Sequence, residues 1–152
     1  NVDSKAELGG FTITNGLSDA GGGMYNKNSS PTVSSCSFSG NVSGFIGGGM
    51  YNENSSPTVT DCIFTGNSAV YGGGMCNYTH GYPTLTNCTF SGNSADEGGG
   101  IFNGWEANLH LTNCILWGNG EEIHNLADYA IINVSHSCVA GGYPGVELSR
   151  RE

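Results

Sequence analysis

Cysteine is the reactive residue whose spacing in this chain is most regular. Four cysteines follow one another at intervals of 26 residues, at Cys36, Cys62, Cys88 and Cys114. Thiols in such a series could form disulfides or fill a core. If the repeats stack at the strand spacing of about 4.8 Å, neighbouring Cβ atoms lie farther apart than the roughly 3.8 Å that a disulfide prefers. We therefore expect mostly free, buried thiols, with Cys138 extending the inward series.

Acid–base or metal chemistry would need clustered carboxylates or histidines. The adjacent acidic pairs, Asp96–Glu97 and Glu121–Glu122, fall in predicted turns, where solvated charge is the simplest interpretation. The histidines lack metal-ligand spacing and are expected at the surface or in turns: His80, His110, His124 and His136. The sequence therefore predicts no catalytic residue, no metal ligand and no cofactor, and we do not expect an enzyme.

The charge balance limits the partners. Asp and Glu outnumber Lys and Arg by 13 to 4, which gives a formal net charge of −9. Without a basic face, nucleic acid is an unexpected partner, and anionic polysaccharide would be repelled. No apolar run approaches the roughly 18 residues of a membrane span. Together these features argue against a nucleic-acid-binding or membrane-spanning protein.

An internal repeat positions these residues. GGGMYNKNSSPTVSSCSFSGN returns as GGGMYNENSSPTVTDCIFTGN and twice more in looser form. Within a unit, apolar residues alternate with polar ones, which indicates short strands rather than helices. A period near 26 residues accommodates three strands and three bends, and only stacked units can bury their apolar sides. The fold class predicted is all-β: a right-handed parallel β-helix of five to six three-sided coils.

The repeat also predicts the domain layout and the columns inside it. Residues 1–152 are expected to form one domain, with coils at about 1–20, 21–46, 47–71, 72–97, 98–123 and 124–145 and a tail at 146–152. An aromatic column is expected in the core at Phe38, Phe64 and Phe90. An amide ladder is expected at the bends, beginning with Asn15 and continuing through Asn41, Asn67, Asn93 and Asn119.

A second aromatic series should point away from the core, because each member follows an inward Met or Ile. It comprises Tyr25, Tyr51, Cys76 and Phe102. These residues could cover their own sheet, form a self-association face or contact sugar rings. Within the series, Cys76 is interpreted as a surface variant or as a covalent link to another chain. Outward Thr ranks at Thr32, Thr58 and Thr84 leave ice binding as a remote alternative.

The repeat motifs resemble those of a known family. GGGM or GGGI followed by FSGN or FTGN is similar to the paired GGA[ILV] and FxxN motifs of polymorphic outer-membrane protein repeats. Those repeats belong to the right-handed parallel β-helix, or pectate-lyase-like, superfamily. The resemblance implies the fold across nearly the whole chain and an extracellular or bacterial cell-surface location. It leaves function open, because the superfamily includes lyases, hydrolases, adhesins and structural rods. In this chain the third motif position is Gly instead of Ala.

The expected function follows from the repeat and from the absence of a catalytic constellation. We expect a non-enzymatic structural or adhesive solenoid that associates end to end with itself, or forms part of a longer rod, because exposed strand edges favour pairing. The alternative is a carbohydrate-binding or carbohydrate-cleaving β-helix. Expected partners are therefore other copies of the chain and, second, surface glycans.

Overall fold

The computed structural model describes residues 6–126 and 130–141 as a stack of coils built from short parallel strands. Each full coil passes through three sheets in turn and then crosses a longer connection to the next coil. No helix occurs among the described residues, so the predicted all-β class and parallel solenoid are confirmed there. The tail predicted at 146–152 lies outside the described residues.

The three main sheets contain strands from successive coils in register. Sheet 1 is formed by β1 (Glu7–Gly9), β5 (Thr32–Ser34), β9 (Thr58–Thr60), β12 (Thr84–Thr86), β15 (Asn108–Thr112) and β18 (Ile131–Ser135). Sheet 2 is formed by β2 (Thr12–Thr14), β6 (Ser37–Ser39), β10 (Ile63–Thr65), β13 (Thr89–Ser91), β16 (Ile115–Trp117) and β19 (Cys138–Val139). Sheet 3 is formed by β4 (Met24–Lys27), β8 (Met50–Glu53), β11 (Met75–Tyr78), β14 (Ile101–Asn103) and β17 (Ile123–Asn125).

The connection between sheets 2 and 3 is less regular. Its first two copies pair as β3 (Leu17–Ala20) and β7 (Val42–Ile46), with a register shift between Ser18 and Ala20. Later copies keep single bridges only, such as Val42 to Ser68 and Ile46 to Tyr71. The side of the solenoid that this connection forms is therefore the one that differs most between coils.

Residues with a left-handed backbone make the sharp bends between strands. Gly40 and Gly66, with φ of 61° and 62°, follow the strands of sheet 2. Ser35 and Asp61, with φ of 51° and 54°, precede the cysteines. Glycine carries no steric penalty there, and short polar side chains tolerate this region better than branched ones. The recurrence of these bends every 26 residues is what holds the strands in register.

The predicted core columns are confirmed. Phe38, Phe64 and Phe90 are fully buried, and their rings stack in parallel with centroids 4.7 and 4.5 Å apart. Burying one such side chain contributes about 1.5–3 kcal/mol relative to leaving it in water. The other inward columns are Met24, Met50, Met75 and Ile101, and Val33, Val59, Leu85 and Leu111.

The cysteine column is also confirmed at four positions and is wrong at the fifth. Cys36, Cys62, Cys88 and Cys114 are free and buried in the core cluster. Burial raises the pKa of the Cys62 thiol to about 11. Cys138, however, is exposed, because it pairs with the outward Ile115. The inward place belongs to Ser137, whose hydroxyl accepts a hydrogen bond from the Cys114 amide at 2.9 Å.

The asparagine ladder forms as predicted from its second member onward. Asn67 Oδ1 accepts hydrogen bonds from the side-chain and backbone nitrogens of Asn41 at 2.9 and 3.0 Å. Asn67 Nδ2 donates to the Phe38 carbonyl and to Asn93 Oδ1, both at 2.9 Å. The same pattern repeats from Asn93 to Asn119. Each buried amide thereby satisfies its neighbours without contacting water.

The two ends of this ladder differ from the prediction. Ile13 pairs with Phe38, so Asn15 takes the left-handed position of Gly40 and Gly16 takes the ladder position. Gly16 donates its backbone N–H to Asn41 Oδ1 at 2.9 Å. At the other end, Glu122 is buried and accepts hydrogen bonds from Asn119 Nδ2 and from the Gly118 amide. The interpretation of Glu122 as solvated charge was therefore wrong, because the last amide of the ladder needs an acceptor.

A second ladder was missed from the sequence. Asn26, Asn52, Asn77 and Asn103 are buried two positions after the Met or Ile of each GGG unit. Asn26 donates to Asn52 Oδ1 and Asn52 donates to Asn77 Oδ1, each at 2.9 Å. The ladder is interrupted between Asn77 and Asn103. Asn77 Nδ2 and Asn103 Oδ1 have no partner, while Asn103 Nδ2 donates to the Ala107 carbonyl and to Asn125 Oδ1. The repeat contains the pattern that predicts this ladder, since Asn is constant in the triplets MYN, MYN, MCN and IFN.

The third glycine of each GGG unit permits close contact between coils. A Cβ atom placed on Gly49 would lie 2.4 Å from the carbonyl oxygen of Gly74, and one on Gly74 would lie 2.6 Å from that of Gly100. Both distances are far below van der Waals contact. The backbone spacing of this column therefore requires glycine where the resembling repeats have alanine.

Candidate functional site

The residues predicted as an outward aromatic series form a column on the outer side of sheet 3, which faces away from the main core. Tyr25 pairs with Tyr51, which pairs with Cys76, followed by Phe102 and His124. The Tyr25 and Tyr51 rings stack at 4.9 Å, and the Phe102 and His124 rings stack at 5.4 Å. The column of five spans roughly 19 Å, which is four steps of about 4.8 Å.

The series points away from the core as predicted, but most of its members are covered by other residues. Tyr25 is 44% exposed, whereas Tyr51 and Phe102 are only 7% and 3% exposed. Tyr51 and Phe102 form a second apolar cluster outside the main core, together with Ile46 and Cys76. Alternation along the strand correctly gave the direction of these side chains. It could not show that the neighbouring connection folds over them.

Cys76 is likewise neither a surface residue nor a cross-link. Its side chain is fully buried between Tyr51 and Phe102, and its thiol is free. Burial raises the pKa of this thiol well above its ordinary value, because a thiolate would lose its hydration there. Cys76 therefore acts as a small apolar residue beneath the surface.

Two walls rise beside the aromatic column. The first is the irregular connection, where Ala20, Ile46, Tyr71 and Glu97 occupy equivalent places in successive coils. Phe45 extends this wall, and its ring meets that of Tyr71 edge to face at 5.3 Å. The second wall begins at the ends of the strands of sheet 3. It contains Lys27, Glu53 and Tyr78 in register, with Trp105 and Leu126 beside them.

Between the walls lies a cleft with a volume of about 520 Å³. Its lining consists of Ala20, Tyr25, Phe45, Ile46, Tyr51, Glu53, Tyr71, Tyr78, Glu97, Phe102, Trp105 and Leu126. Seven of these twelve side chains are aromatic. Phe45 and Trp105 are 56% and 57% exposed, so their rings remain available to a ligand. Apolar and aromatic walls with a few polar groups are typical of binding sites for small molecules and short chains.

The first polar group of the cleft is built around Glu53. Its carboxylate accepts a hydrogen bond from the Tyr25 hydroxyl and lies 3.0 Å from Lys27 Nζ. The hydrogen bond from Tyr25, and next the ammonium of Lys27, lower the pKa of Glu53 below its usual value. Glu53 therefore provides a negative charge at neutral pH, and its contact also orients the exposed Tyr25 ring.

The second polar group of the cleft contains Glu97 and His124, a histidine that was predicted to lie at the surface or in a turn. His124 Nε2 lies 3.4 Å from Glu97, and its Nδ1 lies 2.9 Å from Glu121. Its ring covers Phe102, so His124 is half-buried rather than a surface residue. The other three histidines are exposed, as predicted. Because a protonated His124 balances only one of the two carboxylates, this cluster keeps net negative charge.

The outer side of sheet 1 exposes Thr32, Thr58 and Thr84, and the paired His110 interrupts this rank as predicted. Among the described residues, no group of three His, Cys, Asp or Glu side chains could hold a metal ion. Nor do these residues form a helix that is long and apolar enough to cross a membrane.

The stacked parallel coils and the inward Phe and Asn columns define a parallel β-helix. A family model described as "Right handed beta helix region" matches residues 3–114, and the chain belongs to that family. Comparison with curated proteins and with solved structures found no match for the chain. The family accounts for the fold, while the function must be argued from the cleft.

Proposed function

We propose that the chain is a non-enzymatic, extracellular β-helix with an adhesive role, which binds a carbohydrate chain in the aromatic cleft. The observation that carries this proposal is the cleft of about 520 Å³ with seven aromatic side chains and two carboxylates. Aromatic rings stack against the apolar faces of sugar rings, while carboxylates accept hydrogen bonds from hydroxyl groups. The exposed rings of Tyr25, Phe45 and Trp105 provide this combination.

The rigidity of the site supports recognition of an extended chain. Tyr51 and Phe102 are held between stacked neighbours, and Tyr25 is held by Glu53. A ligand that binds such a preformed surface loses less free energy to the ordering of protein side chains. The column beneath the cleft also runs parallel to the solenoid axis. A linear oligosaccharide is therefore a better fit than a compact ligand.

The two tryptophans of the chain offer a direct test. Trp105 lies in the cleft, whereas Trp117 is 62% exposed on sheet 2 and serves as a matched control. We expect a panel of oligosaccharides to include ligands whose affinity, measured by calorimetry, falls at least about tenfold in Trp105→Ala and is unchanged in Trp117→Ala. Equal losses in both variants, or no binding by any oligosaccharide, would contradict the proposal.

The alternative within the same cleft is cleavage of the bound chain. It is favoured by the Glu97, His124 and Glu121 cluster, since paired carboxylates are the usual groups for glycoside hydrolysis. Incubating each bound oligosaccharide with the wild-type protein and with Glu97→Gln, followed by chromatography of the products, separates the two functions. Products that the wild type forms and Glu97→Gln does not form would establish cleavage.

Self-association is the second candidate function. In the described residues, β1, β2 and β4 each have a strand neighbour on one side only. Leu17 and Phe11, in the same coil, are 82% and 58% exposed. Unpaired strand edges beside apolar residues favour pairing with another copy. Sedimentation velocity and electron microscopy over a range of concentrations should then show assemblies that Leu17→Asp weakens, and a concentration-independent monomer would count against this function.

A further inference from the structure

The charges around the cleft select among carbohydrates. We infer that the cleft binds a polysaccharide with free ammonium groups, such as a chain of hexosamine units without N-acetyl groups, in preference to neutral and anionic polysaccharides. This inference rests on the proposed carbohydrate-binding function. It depends on the placement of Glu53 and Glu97, one on each wall, next to aromatic rings on both sides.

Glu53 is placed to contact a cation while an aromatic ring lies beside it. Its existing cationic partner is Lys27, whose side chain is 56% exposed at 3.0 Å. The Glu53 side chain is 24% exposed, but the ammonium of Lys27 remains largely hydrated, so their ion pair is weak. A ligand ammonium can therefore share or replace this contact. At the same time it would lie near the ring of Tyr25, which favours a cation over its face.

Glu97 offers a second carboxylate on the opposite wall. Its side chain is 42% exposed, and its partner His124 is shared with Glu121. Whether His124 is neutral or protonated, the two carboxylates exceed the available positive charge. The cluster therefore attracts a cation in both states. Two carboxylates beside a row of rings can pair with ammonium groups on different sugars of one polymer.

The same arrangement disfavours acidic polymers. A polyuronate that stacked on these rings would bring its own carboxylates close to Glu53 and Glu97. The only lysine near the cleft walls in the described residues is Lys27, and it is already paired. The formal net charge of −9 adds a long-range repulsion in the same direction. An N-acetylated chain would keep the stacking but lose the charge attraction.

The test compares three oligosaccharides of equal length: a glucosamine hexamer, an N-acetylglucosamine hexamer and a galacturonate hexamer. Binding is followed at pH 6 and low salt through the fluorescence of Trp105 in the Trp117→Phe variant, in which Trp105 is the single remaining tryptophan. We expect the glucosamine hexamer to bind at least about tenfold more tightly than the other two, with an affinity that falls as salt is added.

Two charge variants locate the source of this preference. Glu97→Gln should weaken glucosamine binding by about fivefold or more, and should weaken N-acetylglucosamine binding much less, because only the first loses a charge attraction. Glu7→Gln makes the same change of charge on the exposed side of β1, far from the cleft, and should have no comparable effect. Equal effects of both variants would overturn the inference, because the preference would then arise from net charge alone.

The remaining outcomes separate this inference from the function on which it rests. Equal affinity for the glucosamine and N-acetylglucosamine hexamers would overturn the charge preference and leave carbohydrate binding intact. Preferential binding of the galacturonate hexamer would overturn it more directly. If no hexamer changes the fluorescence of Trp105 and calorimetry detects no binding by any oligosaccharide of the wider panel, the proposed function itself is wrong.

Discussion

Replacing Asn67 with alanine tests whether the asparagine ladder stabilises the solenoid. The Asn67 side chain is fully buried and makes four hydrogen bonds. Its oxygen accepts from two nitrogens of Asn41, and its nitrogen donates to Phe38 and Asn93. Alanine removes all four and leaves buried groups on both neighbouring coils without these partners. At about 1 kcal/mol net per hydrogen bond, the loss is about 4 kcal/mol.

This loss is a large fraction of the roughly 5–15 kcal/mol by which domains are usually stable. For a chain of this size, 1 kcal/mol corresponds to about 2–4 °C in Tm, so we expect a decrease of about 8–16 °C. The free energy of unfolding would be measured by urea titration and circular dichroism, and Tm by calorimetry. The control is Asn133→Ala, because Asn133 is exposed on β18 and its replacement should cost less than about 0.5 kcal/mol.

A charge variant at the same position sharpens the test. Asn67→Asp retains an oxygen acceptor for Asn41 but loses both donated hydrogen bonds. At neutral pH it also places a negative charge against the oxygens of Phe38 and Asn93. We expect it to be less stable than Asn67→Ala at pH 7 and to recover partly in acid, where a protonated carboxyl can donate one hydrogen bond. If Asn67→Ala lies within about 1 kcal/mol of the wild type, the ladder is not a major source of stability.

Three further predictions concern the second ladder and the cysteines. Asn52→Ala should lower the free energy of unfolding, measured by urea titration, by about 1 kcal/mol more than Asn77→Ala does. The reason is that the Asn52 amide both donates and accepts a hydrogen bond, while Asn77 Nδ2 has no partner. Equal decreases would mean that the ladder continues without a break at Asn77. In the native protein a thiol reagent should modify Cys138 rapidly and the buried cysteines only on unfolding, and rapid loss of a second thiol would contradict the burial. The folded pKa of Cys62 lies near 11, above its usual value near 9, so the stability that this thiol contributes is complete below pH 9 and is lost as pH rises towards 11. Cys76, whose pKa is also raised, loses stability in the same direction. Between pH 9 and 11 the loss of unfolding free energy should therefore be smaller by about 3 kcal/mol in Cys62→Ala than in the wild type, and unchanged in Cys138→Ser.

The periodic features of the fold could be predicted because each one is repeated. A residue such as Phe64 is constrained by identical neighbours above and below, and the spacing of 26 residues places all three in one column. A column of this kind needs no knowledge of the rest of the chain. The inward cysteines and the Asn41-to-Asn119 ladder were predictable for the same reason.

The ends of the columns could not be predicted in this way. The spacing from Ile13 to Phe38 is 25 residues, and the inward residue after Cys114 is Ser137, 23 positions later. A shift of one residue reverses the direction of a side chain in a strand. Asn15 and Cys138 therefore do not occupy the ladder and core positions that the spacing predicts. Glu122 could not be recognised as a cap from the repeat. It accepts a hydrogen bond from Asn119, which is the last asparagine of the ladder and has no further asparagine to which it can donate.

The cleft lies where equivalent positions do not repeat the same residue. Equivalent places on one wall hold Ala20, Ile46, Tyr71 and Glu97, which range from a small apolar side chain to a carboxylate. In the core, by contrast, successive coils repeat Phe or Cys. A solenoid of identical coils would present the same groove at every level and could not place one anionic group at a defined distance from a particular ring. The repeated positions therefore build the rod, and the positions that vary give one part of its side the shape and charge of a binding site.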